Sequence, residues 1–266
     1  MMGTTPGPPR ARGAGETPAT PTTEALTAMT LPDEAPARAD VADLRHPATW
    51  VVVPLYQEAS VIGQVVSRVQ ERFANVVCVD DGSRDASAQA AAEAGAVVVR
   101  HCLNLGQGAA LQTGFDYALR DPGMRSVVTF DADGQHRVED AAEMVARLER
   151  EDLDVVFGSR FLDRRTRVDP LRRVVLRTAV AFTNRTTGVR LTDAHNGLRV
   201  LSRRAAQTVS LRHNRMAHAS EIVAQVGRSD LRWAEHPVEI LYTDYSRSKG
   251  QSLLNSVNIL VETLLG

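Results

Sequence analysis

Two carboxylates one residue apart, Asp131 and Asp133, close the β-prone run Val127-Val128-Thr129-Phe130. Side chains of an extended segment alternate between faces, so this spacing directs both carboxylates to one side of the strand's C-terminal end. Paired aspartate oxygens suit a hard divalent ion such as Mg²⁺ or Mn²⁺, which keeps positions open for water and for a substrate's phosphates. Gln135, one step further along the same alternation, would add a neutral oxygen ligand. The competing reading is a solvated turn after a buried strand, since Asp and Gly are common turn residues. A calcium-binding loop of the helix–loop–helix type is excluded. Gly134 falls at the fourth loop position instead of the sixth, and Ala142 stands where a bidentate Glu is needed.

The elements that must hold this pair follow from apolar patterning. Trp50-Val51-Val52-Val53-Pro54 reads as a strand buried on both faces, and Val61, Ile62, Val65, Val66, Val69 and Phe73 then recur at helical spacing. Further buried strands follow at Asn75–Val79, Val97–Val99 and Asp154–Phe157, separated by helices through Gly95, over Ala109–Leu119 and near Glu139–Arg150. Strict alternation of strand and helix predicts an α/β fold with a mostly parallel central sheet and helices on both faces. Ligands bind such sheets outside the carboxyl ends of the strands. Tyr56/Glu58, Asp80/Asp81, Asp131/Asp133 and Ser159/Arg160 all fall at those ends, so the strand termini converge on one crevice. A dinucleotide fingerprint fails because Leu111 occupies the third glycine position after Gly106 and Gly108. There is no GxxxxGK[ST] phosphate loop and no GxSxG nucleophile turn.

A chain of 266 residues has ample length for one large domain, and 43% hydrophobic with 24% charged residues describes a globular protein. A net charge of -1 excludes a strongly basic nucleic-acid binder. Lys249 is the single lysine among many arginines, which singles out the loop that carries it. Cys78 and Cys102 lack metal or redox spacing and adjoin apolar runs, so both are expected in the core, reduced, in a cytoplasmic protein. No stretch reaches the roughly 18 to 20 apolar residues of a spanning helix, so the chain is expected to carry no membrane anchor. Residues 1–45, rich in Pro, Thr, Ala and Gly, have the composition of a disordered tail.

Six stretches in order resemble glycosyltransferase family 2: Pro54-Leu55-Tyr56-Gln57-Glu58, Val79-Asp80-Asp81-Gly82-Ser83, Asn104-Leu105-Gly106-Gln107-Gly108, Asp131-Ala132-Asp133-Gly134-Gln135, Gly158-Ser159-Arg160 and Asp193-Ala194-His195-Asn196-Gly197-Leu198-Arg199. Within that family the likeness is to polyprenyl-phosphate sugar transferases of the dolichol-phosphate mannose synthase type. The resemblance implies a GT-A fold over residues 46–250, with a donor half to about residue 160 and an acceptor half beyond it. It implies that Pro54, Tyr56 and Glu58 form the nucleoside pocket, with Asp81 and Val79 on the base. Asp131 and Asp133 would hold the metal against the donor's diphosphate, with the Ala132 backbone close by and Gln135 as extra ligand. Ser159 and Arg160 would meet a phosphate of acceptor or donor. Lys249 matches the lysine of a loop that closes over the diphosphate; Thr243 stands where that loop's arginine belongs, leaving Arg247 as substitute.

The expected activity is inverting transfer of a sugar from a GDP- or UDP-sugar to a polyprenyl phosphate, at the inner face of the cell membrane. A lipid phosphate is already anionic and needs no base; a hydroxyl acceptor needs one, with Asp193 the first candidate and Glu221 the second. Asp193 as a turn residue orienting Arg199, and Glu221 as a structural residue, are the alternatives. Two rival functions are a hydroxyl acceptor in cell-envelope polysaccharide or glycolipid synthesis, and an inactive nucleotide-sugar-binding module. Between Arg164 and Arg190, arginines crowd an apolar helical stripe, which reads as peripheral membrane contact, or as a helix packed on the sheet; Arg173 would reach the acceptor phosphate. Residues 251–266 form an amphipathic pattern suited to a membrane surface, to the domain or to a second copy in a homo-oligomer. His136 and His195 read as local hydrogen-bonding residues.

Overall fold

Valine-rich segments that are apolar at every position can only be strands covered on both sides. The computed structural model, which describes residues 46–163, 166, 170–212 and 217–241, shows this. Strands β1 (Thr49–Leu55), β2 (Asn75–Asp80), β3 (Val97–Arg100), β4 (Ser126–Thr129), β5 (Val155–Ser159), β6 (Arg199–Ser202) and β7 (Trp233–Pro237) form one seven-stranded sheet in the order β3-β2-β1-β4-β6-β5-β7. All neighbours run parallel except β6, which is antiparallel to both β4 and β5. Seven helices connect them: α1 (Ile62–Gln70), α2 (Ser87–Glu93), α3 (Gln107–Leu119), α4 (Val138–Arg150), α5 (Pro170–Thr187), α6 (Arg203–Thr208) and α7 (Ala217–Arg228). The expected α/β architecture therefore holds, with the addition of β6, whose sequence had been read only as part of a polar motif.

Alternation along each strand feeds two apolar layers. Trp50, Val52, Val77, Val79, Val127 and Phe157 pack on one side with α3, α5, α6 and α7. Val51, Val53, Cys78, Val128 and Val156 pack on the other with α1, α2 and α4. Helix α4 carries Glu139 and Asp140 in its first turn and Arg147 and Arg150 in its last, matching its dipole at both ends. Leu176, Ala179 and Val180 of α5 are buried, and α5 packs on α7, so this part of its apolar stripe faces the domain. The side chain of Arg173, residues 1–45, the loop with Arg247 and Lys249, and residues 251–266 lie outside what is described. Cys78 is buried as expected; Cys102 is exposed, because the chain leaves the sheet at Arg100 and runs as a surface loop.

The winding reverses at β1. From β1 the chain goes outward to β2 and β3, then returns to place β4 on β1's other side. Such a switch point opens a crevice between neighbouring strand ends. Register sets the depth of that crevice: β1 and β2 end level, Leu55 pairing with Asp80, whereas β4 ends at Thr129 opposite Val52, three residues short of the end of β1. Helix α3 closes over β1 at Gly114, where a Cβ would run into the Val52 side chain. We expect Gly114→Ala to destabilise the protein by about 1–3 kcal/mol in urea denaturation, despite alanine's better helix propensity.

Candidate active site

The residues beyond β1 turn sharply, with Gln57 at φ 55. Two serines of the β2–α2 connection hold them: the Gln57 amide donates to Ser83 Oγ (3.0 Å) and the Glu58 amide to Ser87 Oγ (2.8 Å). Ser83 is fixed by Asp80, which accepts from its amide and from Arg100 Nε (3.0 Å). Beside it, Asp81 accepts from His101 Nδ1 (2.8 Å), the Leu105 amide (2.8 Å) and the Gly106 amide (2.7 Å). His101 is buried and also reaches Thr113 Oγ1 in α3 (3.0 Å). Burial raises the Asp81 pKa, but the His101 bond and the two amides outweigh it, leaving the carboxyl below its ordinary value. Asp81 thus ties the start of α3 to the sheet.

Strand β4 stops at Thr129. Beyond it the chain turns rather than staying extended: the Gln135 amide donates to Asp133 Oδ1 (3.0 Å) and Gly134 has φ 73. Asp131 and Asp133 nonetheless line one cleft of about 450 Å³ together with Tyr56, Glu58, Asp81 and Gln107. Asp131 accepts from Gln107 Nε2 (3.2 Å) and pairs with His136 Nε2 (2.9 Å). Burial raises the Asp131 pKa, and the charges of His136, His218 and Arg199 with the His136 hydrogen bond bring it below normal. Asp133 goes the other way, pushed up to about 6 by burial and then by Asp131, with Glu58 adding to the repulsion. Arg199 lies beneath, 2% exposed, its Nη2 donating to the Ala194 carbonyl (3.3 Å). Burial lowers its pKa to about 10 while the charges of Asp131 and Asp193 oppose that shift, so it stays charged at neutral pH.

The family model for glycosyl transferase family 2 matches residues 50–210. The chain belongs to that family. It is a glycosyltransferase with a GT-A fold. An uncharacterized protein of Methanocaldococcus jannaschii is 34% identical over 221 residues, covering 81% of this chain and 90% of the relative. The UDP-N-acetylglucosamine–dolichyl-phosphate N-acetylglucosaminyltransferase of Methanococcus voltae is 29% identical, covering 81% and 94%. The polyprenol monophosphomannose synthase of Mycolicibacterium smegmatis is 29% identical, covering 79% and 82%. Among solved structures, glucosyl-3-phosphoglycerate synthase from Mycobacterium tuberculosis, in complex with Mn²⁺ and UDP-glucose, superposes with a TM-score of 0.62 at 18% identity, covering 82% and 78%. At that identity the likeness speaks for the fold.

In this family 2 glycosyltransferase the expected site residues divide. Pro54, Tyr56, Glu58, Asp81, Asp131, Ala132 and Asp133 all line the cleft. Val79 does not: its side chain is wholly buried in the core. Gln135 is carried off by the turn, its carbonyl accepting from the Leu241 amide (2.9 Å), and it is not among the lining residues. Ser159 is fully buried, sharing a hydrogen bond with Thr192 Oγ1 (2.6 Å) and capping the Phe161 amide, so its hydroxyl is engaged within the fold. Glu221 accepts from the Arg212 amide (3.1 Å) at a surface, which makes it a clamp on the chain before α7 instead of a base in the cleft.

Arg160 and Asp193 form a pair of their own, Nε to Oδ2 at 2.6 Å, with the Arg160 amide on the same oxygen (3.2 Å). Asp193 therefore orients Arg160, where the sequence had suggested Arg199. Arg160 is outside the cleft wall; β5 is two strands from β4, roughly 10 Å away. Gln107, His101, His136 and Arg199 were not foreseen as site residues. Gln107 carried a signal in its glycine-rich stretch, and Arg199 in its motif; His101 carried none.

A divalent ion fits what is present. The described residues hold no group of three His, Cys, Asp or Glu side chains suited to a metal. Mg²⁺ characteristically takes one or two carboxylates and completes its shell with water and substrate phosphate. Asp131 and Asp133 are such a pair, and the upward shift of Asp133 marks negative charge that the protein leaves unbalanced. For the second centre, we expect Asp193→Ala to lower the unfolding free energy by about 3–5 kcal/mol, because it strands a buried guanidinium. Glu221→Ala, at the surface, should stay within about 1 kcal/mol in the same urea titrations.

Proposed function

We propose that this glycosyltransferase inverts the anomeric centre while moving a sugar from a GDP- or UDP-sugar to a polyprenyl phosphate, with Mg²⁺ or Mn²⁺ held by Asp131 and Asp133. The observation that carries this is the concentration of Asp131, Asp133 and Glu58 in one cleft at the switch point, where burial and then the Asp131 charge push Asp133 up to about 6. The Methanococcus and Mycolicibacterium relatives, both named for transfer to polyprenyl-type phosphates, support the acceptor. The undecaprenyl-phosphate 4-deoxy-4-formamido-L-arabinose transferase of Shewanella sediminis, 30% identical over 229 residues, supports it further.

Pro54, Tyr56 and Glu58 form the wall against which the nucleoside lies, while Asp81 keeps that wall and the start of α3 in register. Helix α3 begins at Gly106 without a side-chain cap, so its first-turn amides are available at the cleft to meet diphosphate oxygens. When bound, the divalent ion supplies positive charge to the departing nucleoside diphosphate as the bond to the sugar breaks. Gln107 and His136 hold Asp131 in the orientation this requires. Arg160, kept in place by Asp193, positions the acceptor phosphate, and Arg247 and Lys249, outside the described residues, meet the donor's diphosphate. With one Asp193 oxygen fixed on Arg160 and the residue 2% exposed, this carboxylate is badly placed to take a proton from an alcohol. That favours a phosphate acceptor, whose oxygen attacks without a base. Contact with the membrane is peripheral; among the described residues no helix is long and apolar enough to cross one.

Incubation with labelled nucleotide sugars, Mn²⁺ and a polyprenyl phosphate should give product that partitions into organic solvent. Asp133→Ala should lower that rate at least about 100-fold. Label appearing only on added glycan alcohols would move the acceptor to a hydroxyl, and no transfer to either would leave a binding module. A proton competes with the metal at Asp133, so apparent Mn²⁺ affinity should be nearly constant above pH 7 and about tenfold weaker at pH 5, read by electron paramagnetic resonance of free Mn²⁺.

A further inference from the structure

The segment from Thr192 to Leu198 has its backbone fixed at almost every step. Glu235 Oε1 accepts from the Thr192 and Asp193 amides (2.8 and 3.1 Å). Arg199 holds the Ala194 carbonyl at 3.3 Å, Arg160 Nη2 donates to the His195 carbonyl (3.5 Å), and Thr129 Oγ1 donates to the Gly197 carbonyl (2.5 Å). Against that order, the side chains present polar atoms that nothing answers. Both ring nitrogens of His195, Asn196 Nδ2 and Asp193 Oδ1 are buried and have no hydrogen-bond partner among the described residues. The three residues are 8%, 2% and 2% exposed. Leaving such atoms unmet is costly, and a protein rarely keeps several on neighbouring residues unless a bound molecule completes them.

The place and the chemistry say what that molecule is. A Cβ at Gly197 would collide with the Asp131 carboxylate, so the segment abuts the floor of the donor cleft directly. Burial holds the His195 pKa down to about 4, with the Arg199 and Arg160 charges acting in the same sense and Asp193 against them, so the ring is neutral under physiological conditions. A neutral imidazole offers one donor and one acceptor, and Asn196 Nδ2 adds donors. Phosphate oxygens could answer only the donors and would leave the imidazole's acceptor nitrogen unmet. Hydroxyl groups, which donate and accept at once, answer all of them. On the donor reading above, the group next to the diphosphate is the transferred sugar. We propose that His195 and Asn196 form the subsite that reads the ring hydroxyls of the transferred sugar, and so set which sugar this enzyme carries.

The test uses the full-length protein with Mn²⁺ and calorimetric binding of GDP, UDP and a panel of GDP- and UDP-sugars that differ at single hydroxyl configurations. His195→Phe keeps the ring's bulk and removes the unanswered nitrogens, and His195→Gln restores a donor and an acceptor. We expect His195→Phe to melt no lower than the wild type and to bind the bare nucleoside diphosphate unchanged. It should bind the preferred nucleotide sugar about tenfold more weakly, with the ranking of epimers flattened and partly recovered in His195→Gln. Unchanged epimer ranking in His195→Phe would overturn the subsite, as would an equal loss for nucleoside diphosphate and nucleotide sugar. A wild type that binds no nucleotide sugar would overturn the donor reading itself, whereas normal wild-type binding with an indifferent variant would remove this subsite alone.

Discussion

Negative charge gathered at the ends of β1 and β4 governs this site. Asp131, Asp133 and Glu58 share one cleft, and the protein answers them only in part, with a fully buried Arg199 below and His136 to one side. The two neighbours of that arrangement respond in opposite directions: Asp131, next to the cations, stays ionised, while Asp133 is driven toward protonation. Unequal carboxyls within one cleft are a natural product of asymmetric surroundings. Here the asymmetry leaves the outer carboxylate seeking a cation and the inner one braced to share it.

The scaffold around that charge is stiff. Asp81, His101 and Thr113 connect β2, β3 and α3 through buried hydrogen bonds, and Gly82 packs its backbone so closely on Leu103 and Asn104 that a side chain there would collide. Ser83 and Ser87 then transfer that rigidity to the loop carrying Tyr56 and Glu58. Recognition groups supported in this way lose little freedom on binding a ligand.

Much of this was legible in the sequence, for physical reasons that also explain the rest. Valine runs and alternating helices fixed the sheet's class, and polar residues just past the strands marked the cleft, because strand length and burial are local properties. The acidic pair was found by an argument that was only half right. Alternation put Asp131 and Asp133 together and would have added Gln135, but the chain turns after Thr129, so the pair survives through turn geometry and Gln135 does not. Val79, Ser159 and Glu221 do not line the cleft for a related cause: a polar or terminal position says nothing about which partner a side chain finds. Ser159 found Thr192, and Glu221 found the Arg212 amide. The Arg160–Asp193 pair joins residues 33 positions apart, and the two unanswered nitrogens of His195 are a property of packing alone.

The direction of β6 has a consequence for how the two halves of the enzyme meet. Where all strands point one way, the segment leading into each strand arrives at the edge remote from the ligand, and only departing segments can touch it. Because β6 is reversed between β4 and β5, its incoming segment, Thr192–Leu198, is delivered to the working edge. One inverted strand lets the later part of the chain contribute an arriving loop beside the earlier part's departing ones, and that loop comes so close that at Gly197 any side chain would strike the Asp131 carboxylate.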